Sequence, residues 1–241
     1  MIVVTTLYNG AEYIEKCINS IMSQSHKDFK CYITDDISTD NSVDVTKDLI
    51  KGDDRFILIE NKTKHYQPGN YDQVIRDNIE ILDNEVIVEI DGDDWLPDED
   101  TLNRINKLYT NKEVWIANGS FVYSNGNKGF SSPQVIDNLR QRQFTASHIR
   151  TWRAFLWREI KIEDLKDSDG EYWSVAGDLA FMYPMLEMAS DNHYRFMGDI
   201  NYVYNEQNPL NDHKVNMTSV NNVVRLIRAM TPYKPLTDDL L

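Results

Sequence analysis

Cysteine is scarce in this sequence, and long hydrophobic runs are absent. The 241 residues contain two cysteines, Cys17 and Cys31, which lie in an apparent helix and an apparent strand. They provide no disulfide framework, so we expect buried thiols in a reducing compartment. No apolar segment is long enough to cross a bilayer, and residues 1–6 lack the basic leader and cleavage site of a signal peptide. These absences predict a cytoplasmic protein without stable membrane insertion.

Basic residues are also few. The chain has 25 Lys and Arg against 39 Asp and Glu, which gives a formal net charge of -14 at pH 7. This balance opposes non-specific binding to nucleic acid or to an anionic membrane, although a modified DNA base as substrate stays open because residues 140–161 are locally basic. The hydrophobic content of 41% and the length are typical of one soluble α/β domain.

The first half of the chain alternates predicted strands with predicted helices. Short β-branched runs predict strands at 2–7, 29–34, 56–59 and 86–90. Helical spacing of apolar residues predicts helices at 11–23, 41–50 and 71–82, with a loop at Pro68-Gly69-Asn70 before the third. Such β-α units predict a parallel sheet with helices on its faces.

The second half is more mixed. After a helix that starts near Pro97, we predict two short strands joined as a hairpin at Asn118-Gly119. The remaining predictions are a helix over 149–160, a helix over 179–188, a strand over 194–204 and a helix over 219–230. We expect a single domain over residues 1–241, in which residues 1–123 form a nucleotide-binding half and residues 124–241 form an acceptor-binding half.

An acidic cluster follows the fourth predicted strand. Asp91, Asp93 and Asp94 surround Gly92, and glycine permits a tight turn that points the carboxylates into one volume. Carboxylates that close repel one another unless a cation or a proton shares them. Ligands of open α/β sheets bind beyond the carboxyl ends of the strands, and hard oxygen ligands suit Mg²⁺ or Mn²⁺. The alternative is a solvated acidic turn that caps the next helix.

Polar residues also follow the first two strands. Thr6 and Tyr8 end the first strand, and Asp35 and Asp36 end the second, without the glycine fingerprint of dinucleotide folds. Aspartates at this place can accept hydrogen bonds from a base or a ribose while an aromatic ring stacks on the base. Helix capping is the alternative, and it explains one aspartate better than two.

Taken in order, these segments resemble the family 2 glycosyltransferases over residues 3 to about 102. Residues 35–42 are similar to the family's Asp-Asp-Gly-Ser-Thr-Asp signature, with Ile37 in place of the usual glycine. Residues 91–98 look like its metal-binding acidic motif. The resemblance implies an α/β fold of the GT-A type, the Rossmann-like fold of nucleotide-diphospho-sugar transferases, with a central, mostly parallel sheet flanked by helices.

The resemblance also implies a nucleotide-diphospho-sugar donor, with a UDP-sugar as the expected choice, and Mn²⁺ or Mg²⁺. Transfer would invert the anomeric carbon, and the acceptor would be a hydroxyl group of a glycan or another molecule. A metal would neutralise charge on the leaving nucleoside diphosphate. By position, the donor-binding residues would be Thr6, Tyr8, Asp35, Asp36, Asp91 and Gly92, and the metal ligands would be Asp91, Asp93 and Asp94.

Five further residues are candidates for the site. Asp178 opens a segment that looks like the family's catalytic-base segment, and its alternative role is a helix N-cap. His148 and Arg150 lie in the basic stretch and would contact a diphosphate or an acceptor, unless they only pair with carboxylates of this protein. His213 lies where some relatives place a metal-binding histidine. Trp95, beside the acidic motif, is a candidate for both core packing and substrate contact.

Two other functions are compatible with a nucleotide-binding fold. A sugar nucleotidyltransferase would carry a glycine-rich, basic loop after the first strand, but residues 8–12 read Tyr-Asn-Gly-Ala-Glu. A catalytically inactive module that only binds a nucleotide sugar or a glycan is opposed by the intact aspartates of the acidic motif and by Asp178. Measurable hydrolysis of a donor would exclude the inactive module.

Overall fold

The computed structural model describes residues 1–78, 80–211, 214 and 217–237. Its strands are β1 (Ile2–Leu7), β2 (Lys30–Asp35), β3 (Phe56–Glu60), β4 (Val86–Glu89), β5 (Ile116–Tyr123), β6 (Arg150–Arg153) and β7 (Tyr194–Tyr204). Its helices are α1 (Ile14–Met22), α2 (Ser42–Ile50), α3 (Tyr66–Ile75), α4 (Thr101–Tyr109), α5 (Ala154–Arg158), α6 (Gly177–His193) and α7 (Met217–Ala229).

The strands form one sheet in the order β3-β2-β1-β4-β6-β5-β7. β1 runs parallel to β2 and β4, β2 runs parallel to β3, and β5 runs parallel to β7. β6 is antiparallel to both of its neighbours, β4 and β5. Nearly every residue of β1 and β4 is buried, which explains their mostly apolar composition. The predicted α/β fold with a mostly parallel sheet is therefore confirmed.

The predicted hairpin at Asn118-Gly119 is wrong, because both residues lie inside the continuous strand β5. Asn118 uses its side chain for packing: its Nδ2 donates to Ser131 Oγ at 3.0 Å, and its Oδ1 accepts the Tyr194 hydroxyl at 2.6 Å. Gly119 lies against Ile149, since a Cβ atom there would come within 3.1 Å of Ile149 Cγ2. The pair therefore permits close approach within the sheet, and the register shifts just after it.

The predicted helix over 149–160 is also wrong in its first half. Residues 150–153 form β6, and only the following residues, 154–158, are helical. All four residues of β6 are buried because the strand lies between β4 and β5. A short run buried on both faces carries no period that separates a strand from a helix.

The bounds predicted for the third helix were wrong, since α3 begins before Pro68 and ends at Ile75 rather than covering 71–82. Pro68 lies in the first turn, where its missing N–H has no intrahelical acceptor to lose. Gly69 faces the ring of Tyr172, and a Cβ atom there would lie 2.5 Å from Tyr172 Cδ2. The predicted loop is thus the N-terminal turn of a helix that packs closely.

Apolar side chains fill both faces of the sheet. On one face, the ring of Tyr71 meets Trp152 and Phe181 edge-on, with centroids 6.0 and 5.6 Å apart, beneath α3, α5 and α6. On the other face, α1 and α4 bury Ile18 and Leu102. Burial on this scale is the main source of stability for a domain of this size.

The two cysteines are buried and free, as predicted. Burial raises the pKa of the Cys31 thiol to about 12, so this thiol is uncharged at neutral pH. In the part of the chain that the structure describes, no helix has the length and apolarity needed to cross a membrane.

A buried ion pair fastens the C-terminal segment onto α6. Arg140 Nε and Nη2 donate to the two carboxylate oxygens of Glu187, at 2.6 and 2.8 Å. Arg140 Nη1 also donates to the carbonyl of Ile227 in α7 at 2.7 Å, and Glu187 accepts the N–H of Tyr233 at 2.9 Å. The pair therefore fixes both α7 and the segment that follows it.

Candidate functional site

A cleft of about 700 Å³ opens where β1, β2 and β4 end, beside the start of β6 and the first turn of α6. Because β6 runs antiparallel to β4, its first residue lies next to the last residue of β4. Most of the predicted site residues line this cleft, namely Thr6, Tyr8, Asp36, Asp91, Gly92, Asp93, His148, Arg150 and Asp178.

The acidic motif is fastened to the end of β1. The Gly92 N–H donates to the Thr6 carbonyl at 3.0 Å, and a Cβ atom at position 92 would lie 2.7 Å from that oxygen. Position 92 therefore requires glycine, because a side chain would displace one of the two backbones. Thr6 Oγ1 also reaches Asp91 Oδ1 at 3.5 Å.

Glu89, two residues before Asp91, is a site residue that the sequence analysis missed. Gln67 Nε2 donates to both carboxylates, at 3.1 Å to Glu89 Oε1 and 3.2 Å to Asp91 Oδ1. Burial raises the pKa of Glu89 to about 7 although Arg150 opposes the shift, and burial with the nearby Glu89 and Asp93 raises the pKa of Asp91 well above its usual value. A charged residue inside the apolar run 86–90 was the available signal.

The other two carboxylates of the motif hold the segment that follows β7. Asp94 is buried, and its Oδ1 accepts the Asn205 N–H at 2.6 Å. Asp93 Oδ2 accepts Asn208 Nδ2 at 2.7 Å. Burial raises the pKa of both groups, and for Asp94 the charges of Asp93 and Asp91 add to the shift. Asp93 also lines the cleft, whereas Asp94 faces the segment it anchors.

A group of three side chains in the cleft has a composition that suits a divalent cation. Glu89, Asp91 and His148 each offer a ligand atom within 4.8 Å of the others. Glu89 Oε2 and His148 Nδ1 are buried and have no hydrogen-bond partner among the described residues. Burial, together with the charge of Arg150, lowers the pKa of His148 well below its usual value, so its ring is neutral and can bind metal.

The two carboxylates are hard oxygen ligands that suit Mg²⁺ or Mn²⁺, and the imidazole suits transition metals. Asp91 belongs both to this group and to the predicted metal set. The role of His213 stays a prediction, because this residue lies outside the residues that the structure describes.

Asp36 caps a helix, but a different one from the helix that follows it in the sequence. Its carboxylate accepts the N–H groups of His65 and Tyr66 at the start of α3, at 2.8 and 2.9 Å. Lys64 Nζ lies 3.4 Å from the same carboxylate and 3.0 Å from the ring centroid of Tyr8, which is 47% exposed. The two predicted base-binding residues therefore meet a third residue, Lys64, that the sequence analysis did not single out.

The neighbouring part of the signature is held by its own turn. Asp35 Oδ2 accepts the Ser38 N–H at 3.1 Å. Ile37, where the family signature has glycine, keeps a positive φ of 64°. That conformation is costly for a β-branched residue. The turn forms with Ile37 all the same, so its fold does not depend on glycine.

Replacing Asp36 should affect both stability and donor binding. Asp36→Ala removes the cap of α3 and should lower the free energy of unfolding by about 0.5–2 kcal/mol. It should also weaken donor binding while turnover at saturating donor is kept, because it frees the segment carrying Lys64 and Tyr66 at the cleft wall. Urea denaturation and calorimetric titration measure the two effects, with exposed Asp44→Ala as the control. Lower stability with unchanged donor affinity would leave Asp36 as a cap alone.

Arg150 connects the floor of the cleft to Asp178. Its Nη1 donates to Glu89 Oε1 at 2.8 Å, and its Nη2 donates to Asp178 Oδ2 at 2.6 Å. Asp178 lies in the first turn of α6, with its side chain 29% exposed, and its Oδ1 accepts the Leu179 N–H at 3.0 Å. The N-cap of α6 is Ala176 rather than Asp178, and Asp178 lines the cleft.

Trp95 lies at the joint between the acidic motif and β7. Its N–H donates to the Val203 carbonyl at 3.2 Å, and its carbonyl accepts the Val203 N–H at 2.9 Å. Lys16 Nζ lies over the indole ring, 3.3 Å from its centroid. The backbone of Trp95 therefore joins the acidic motif to β7 and its ring contacts Lys16, while its predicted contact with substrate stays a prediction.

Comparisons with known proteins add a family match, a relative in sequence and two solved structures. The profile described as Glycosyl transferase family 2 matches residues 2–161. Glycosyltransferase GlyA of Streptococcus pneumoniae is 24% identical over 127 residues, which cover 53% of this chain and 17% of GlyA.

Solved structures show the same fold at lower identity. S. aureus TarS 1–349 in complex with UDP-GlcNAc matches with a TM-score of 0.68 and 16% identity, over 94% of this chain and 64% of that one. Mannosyltransferase PcManGT from Pyrobaculum calidifontis, in complex with GDP-Man and Mn²⁺, matches with a TM-score of 0.60 and 16% identity, over 96% of this chain and 65% of that one. This chain therefore spans less than two thirds of each protein's length.

Proposed function

Because this chain belongs to glycosyl transferase family 2, we propose that it transfers a sugar from a nucleoside-diphosphate donor to a hydroxyl group of an acceptor. Its fold is the GT-A fold that the sequence predicted. The observation that carries the proposal is the convergence in one cleft of Tyr8 and Asp36, the acidic motif and Asp178. Such a transfer needs a pocket for the nucleobase, acidic residues that can hold a metal ion at the diphosphate, and a carboxylate that can take a proton.

Asp178 is proposed as the general base. It takes the proton of the acceptor hydroxyl while that oxygen forms a bond to the anomeric carbon of the sugar. In the same displacement the bond from the anomeric carbon to the diphosphate oxygen breaks, and the nucleoside diphosphate leaves with the electron pair. A single displacement of this kind inverts the configuration at the anomeric carbon.

The donor half of the site is proposed to bind a UDP-sugar. Tyr8 offers an exposed ring for stacking on the base, and Lys64 and Asp36 offer a donor and an acceptor beside it. TarS was solved with UDP-GlcNAc and PcManGT with GDP-Man and Mn²⁺, which supports a nucleotide sugar and a divalent ion for this chain. Asp91 and Asp93 would hold that ion, with His148 beside them. When bound, the ion neutralises charge on the departing diphosphate.

A calorimetric titration tests the donor and the metal together. Nucleoside diphosphates and nucleotide sugars should bind more tightly with Mn²⁺ or Mg²⁺ than with EDTA, since the cleft collects carboxylates that a cation must offset. Asp93→Asn should remove most of this gain, whereas Glu99→Gln, an exposed carboxylate further along the chain, should leave it intact. Equal affinity with EDTA and with Mn²⁺ would contradict the proposed metal.

The reaction itself is tested by product analysis with donors that bind. Release of nucleoside diphosphate, with or without an added glycan acceptor, is the expected result. Release of pyrophosphate from a nucleoside triphosphate and a sugar phosphate would favour the nucleotidyltransferase alternative. Binding with no turnover of any donor would favour the inactive module.

A further inference from the structure

Three charged side chains form a chain from the buried floor of the cleft to its wall. Glu89 on β4 is 0% exposed, Arg150 on β6 is 4% exposed, and Asp178 on α6 faces the cleft. Arg150 touches both carboxylates at hydrogen-bond distance, 2.8 Å to Glu89 and 2.6 Å to Asp178. The antiparallel pairing of β4 and β6 places Glu89 and Arg150 side by side, so their contact is set by the sheet.

The guanidinium group of Arg150 is held on every side. Nη1 is used by Glu89 and Nη2 by Asp178, and Nε faces the Ala146 carbonyl at 3.4 Å. Burial opposes its charge, but Glu89, Asp178 and Asp91 outweigh burial and keep the pKa of Arg150 above its usual value. A planar group with two carboxylate partners in fixed directions has one orientation.

We propose that Glu89 and Arg150 are positioning residues for the catalytic base, and that Arg150 is not a ligand of the donor diphosphate. This inference rests on the proposed function, in which Asp178 is the base. Arg150 holds Asp178 Oδ2, and the Leu179 N–H holds Oδ1, so the carboxylate is fixed in one rotamer. Each carboxylate oxygen keeps further lone-pair capacity, which is available to the acceptor proton.

Glu89 has a separate part in this arrangement, which is to hold the arginine away from substrates. Arg150 lines a cleft that also contains Asp91 and Asp93, and a diphosphate would attract a free guanidinium. The buried carboxylate of Glu89 supplies a counter-charge from below that a mobile ligand cannot displace. Loss of Glu89 should therefore release Arg150 toward the donor side and leave Asp178 unsupported.

Kinetics of Arg150 variants separate positioning from diphosphate binding. Arg150→Lys and Arg150→Gln should lower kcat by roughly 10²-fold, the cost of misplacing a reacting group by about 1 Å. Donor affinity with Mn²⁺, measured by calorimetry, should stay at the wild-type value. Weaker donor binding with normal kcat would overturn the proposal, because that is the pattern of a diphosphate ligand.

A double-mutant comparison makes the test independent of the absolute rates. In an Asp178→Asn background, Arg150→Gln should cause no further loss of kcat, since the residue acts through Asp178. A full additional loss in that background would overturn the proposal. Glu89→Gln, which keeps the side chain's shape, should reproduce the kcat defect of Arg150→Gln and keep the gain in donor affinity that Mn²⁺ gives; loss of that gain would overturn the positioning role and make Glu89 a metal ligand.

Chemical rescue and a matched control separate positioning from loss of structure. Added guanidinium ion, at concentrations that leave the melting temperature unchanged, should restore part of the activity of Arg150→Ala. Arg153→Ala is the control, because Arg153 is a buried arginine of the same strand that donates to the carbonyls of Val114 and Tyr109. It should lose stability and gain no activity from guanidinium.

The outcomes also separate this inference from the proposed function. If Asp178→Asn is defective while folded Arg150 and Glu89 variants turn over normally, Asp178 is still supported as the general base, and the positioning role of Arg150 and Glu89 is disproved. If Arg150 variants do not fold, Glu89→Gln decides the question by the same kcat and affinity measurements. No turnover by the wild type with any donor would remove the proposed function, and with it the base to be positioned.

Discussion

Asp178→Asn should lower the rate of sugar transfer by roughly 10²–10⁴-fold, the usual contribution of a positioned general base. The substitution keeps the size of the side chain, and an amide oxygen can still accept the Leu179 N–H or a hydrogen bond from Arg150. What is lost is a carboxylate that can take the acceptor proton. Initial rates at saturating donor and acceptor measure the effect.

Donor and metal binding should survive this substitution almost unchanged, because the proposed donor site is built from the ends of β1, β2 and β4. Asp191→Asn is the matched control, since it removes one carboxylate from the exposed other end of α6. Its rate should equal that of the wild type. Near-normal transfer by Asp178→Asn would show that the residue is structural and that the base lies elsewhere.

Glu187→Ala should lower the free energy of unfolding by about 3–5 kcal/mol, the usual effect of removing one partner from a buried ion pair. Glu187 and Arg140 are 7% and 5% exposed, and the truncation leaves the guanidinium charge of Arg140 buried without its partner. It also leaves the Tyr233 N–H without its acceptor. Urea denaturation measures the change, and the loosened α7 should bring earlier proteolysis of the C-terminal segment.

The double variant Arg140→Met with Glu187→Met provides the internal comparison. It removes both charges at similar volume and should recover part of the stability lost in Glu187→Ala. The exposed pair of Lys47 and Glu60 is the control, because Glu60→Ala should leave the urea midpoint in place. A Glu187→Ala midpoint equal to that of the wild type would mean that the buried pair does not hold the C-terminal segment.

The parts of the fold that could be predicted are those in which local pattern and tertiary environment agree. β1 and β4 are continuous β-branched runs because both of their faces are buried, and β7 was predicted with its observed bounds. The structure of Asn118-Gly119 and of residues 150–153 was predicted wrongly because local pattern and tertiary environment disagree there. Asn118-Gly119 looks like a turn and residues 150–153 have the spacing of a helix, but both segments are strand residues packed closely inside the sheet. Packing of this kind is not visible in the local sequence pattern.

The same division applies to the candidate site. Strand ends and acidic residues are visible in a sequence, so the cleft residues Tyr8, Asp36 and Asp91 could be predicted. The hydrogen-bond and ion-pair partners of these residues could not be predicted, because they depend on the order of the strands in the sheet. The link from Glu89 through Arg150 to Asp178 requires β6 to lie beside β4, and the capping of α3 by Asp36 joins residues 29 and 30 positions apart.

The insertion of β6 between β4 and β5 has a consequence for how such a protein diversifies. Trp152 pairs with Ile87 on one side and with Ile116 on the other, so a strand from the proposed acceptor half is enclosed by strands from the proposed donor half. In a recombinant protein that carries residues 124–241 of a relative, the relative's version of β6 would have to pair with both β4 and β5 of this chain. New acceptor preferences should therefore arise by stepwise substitution on the cleft wall rather than by exchange of an intact cassette.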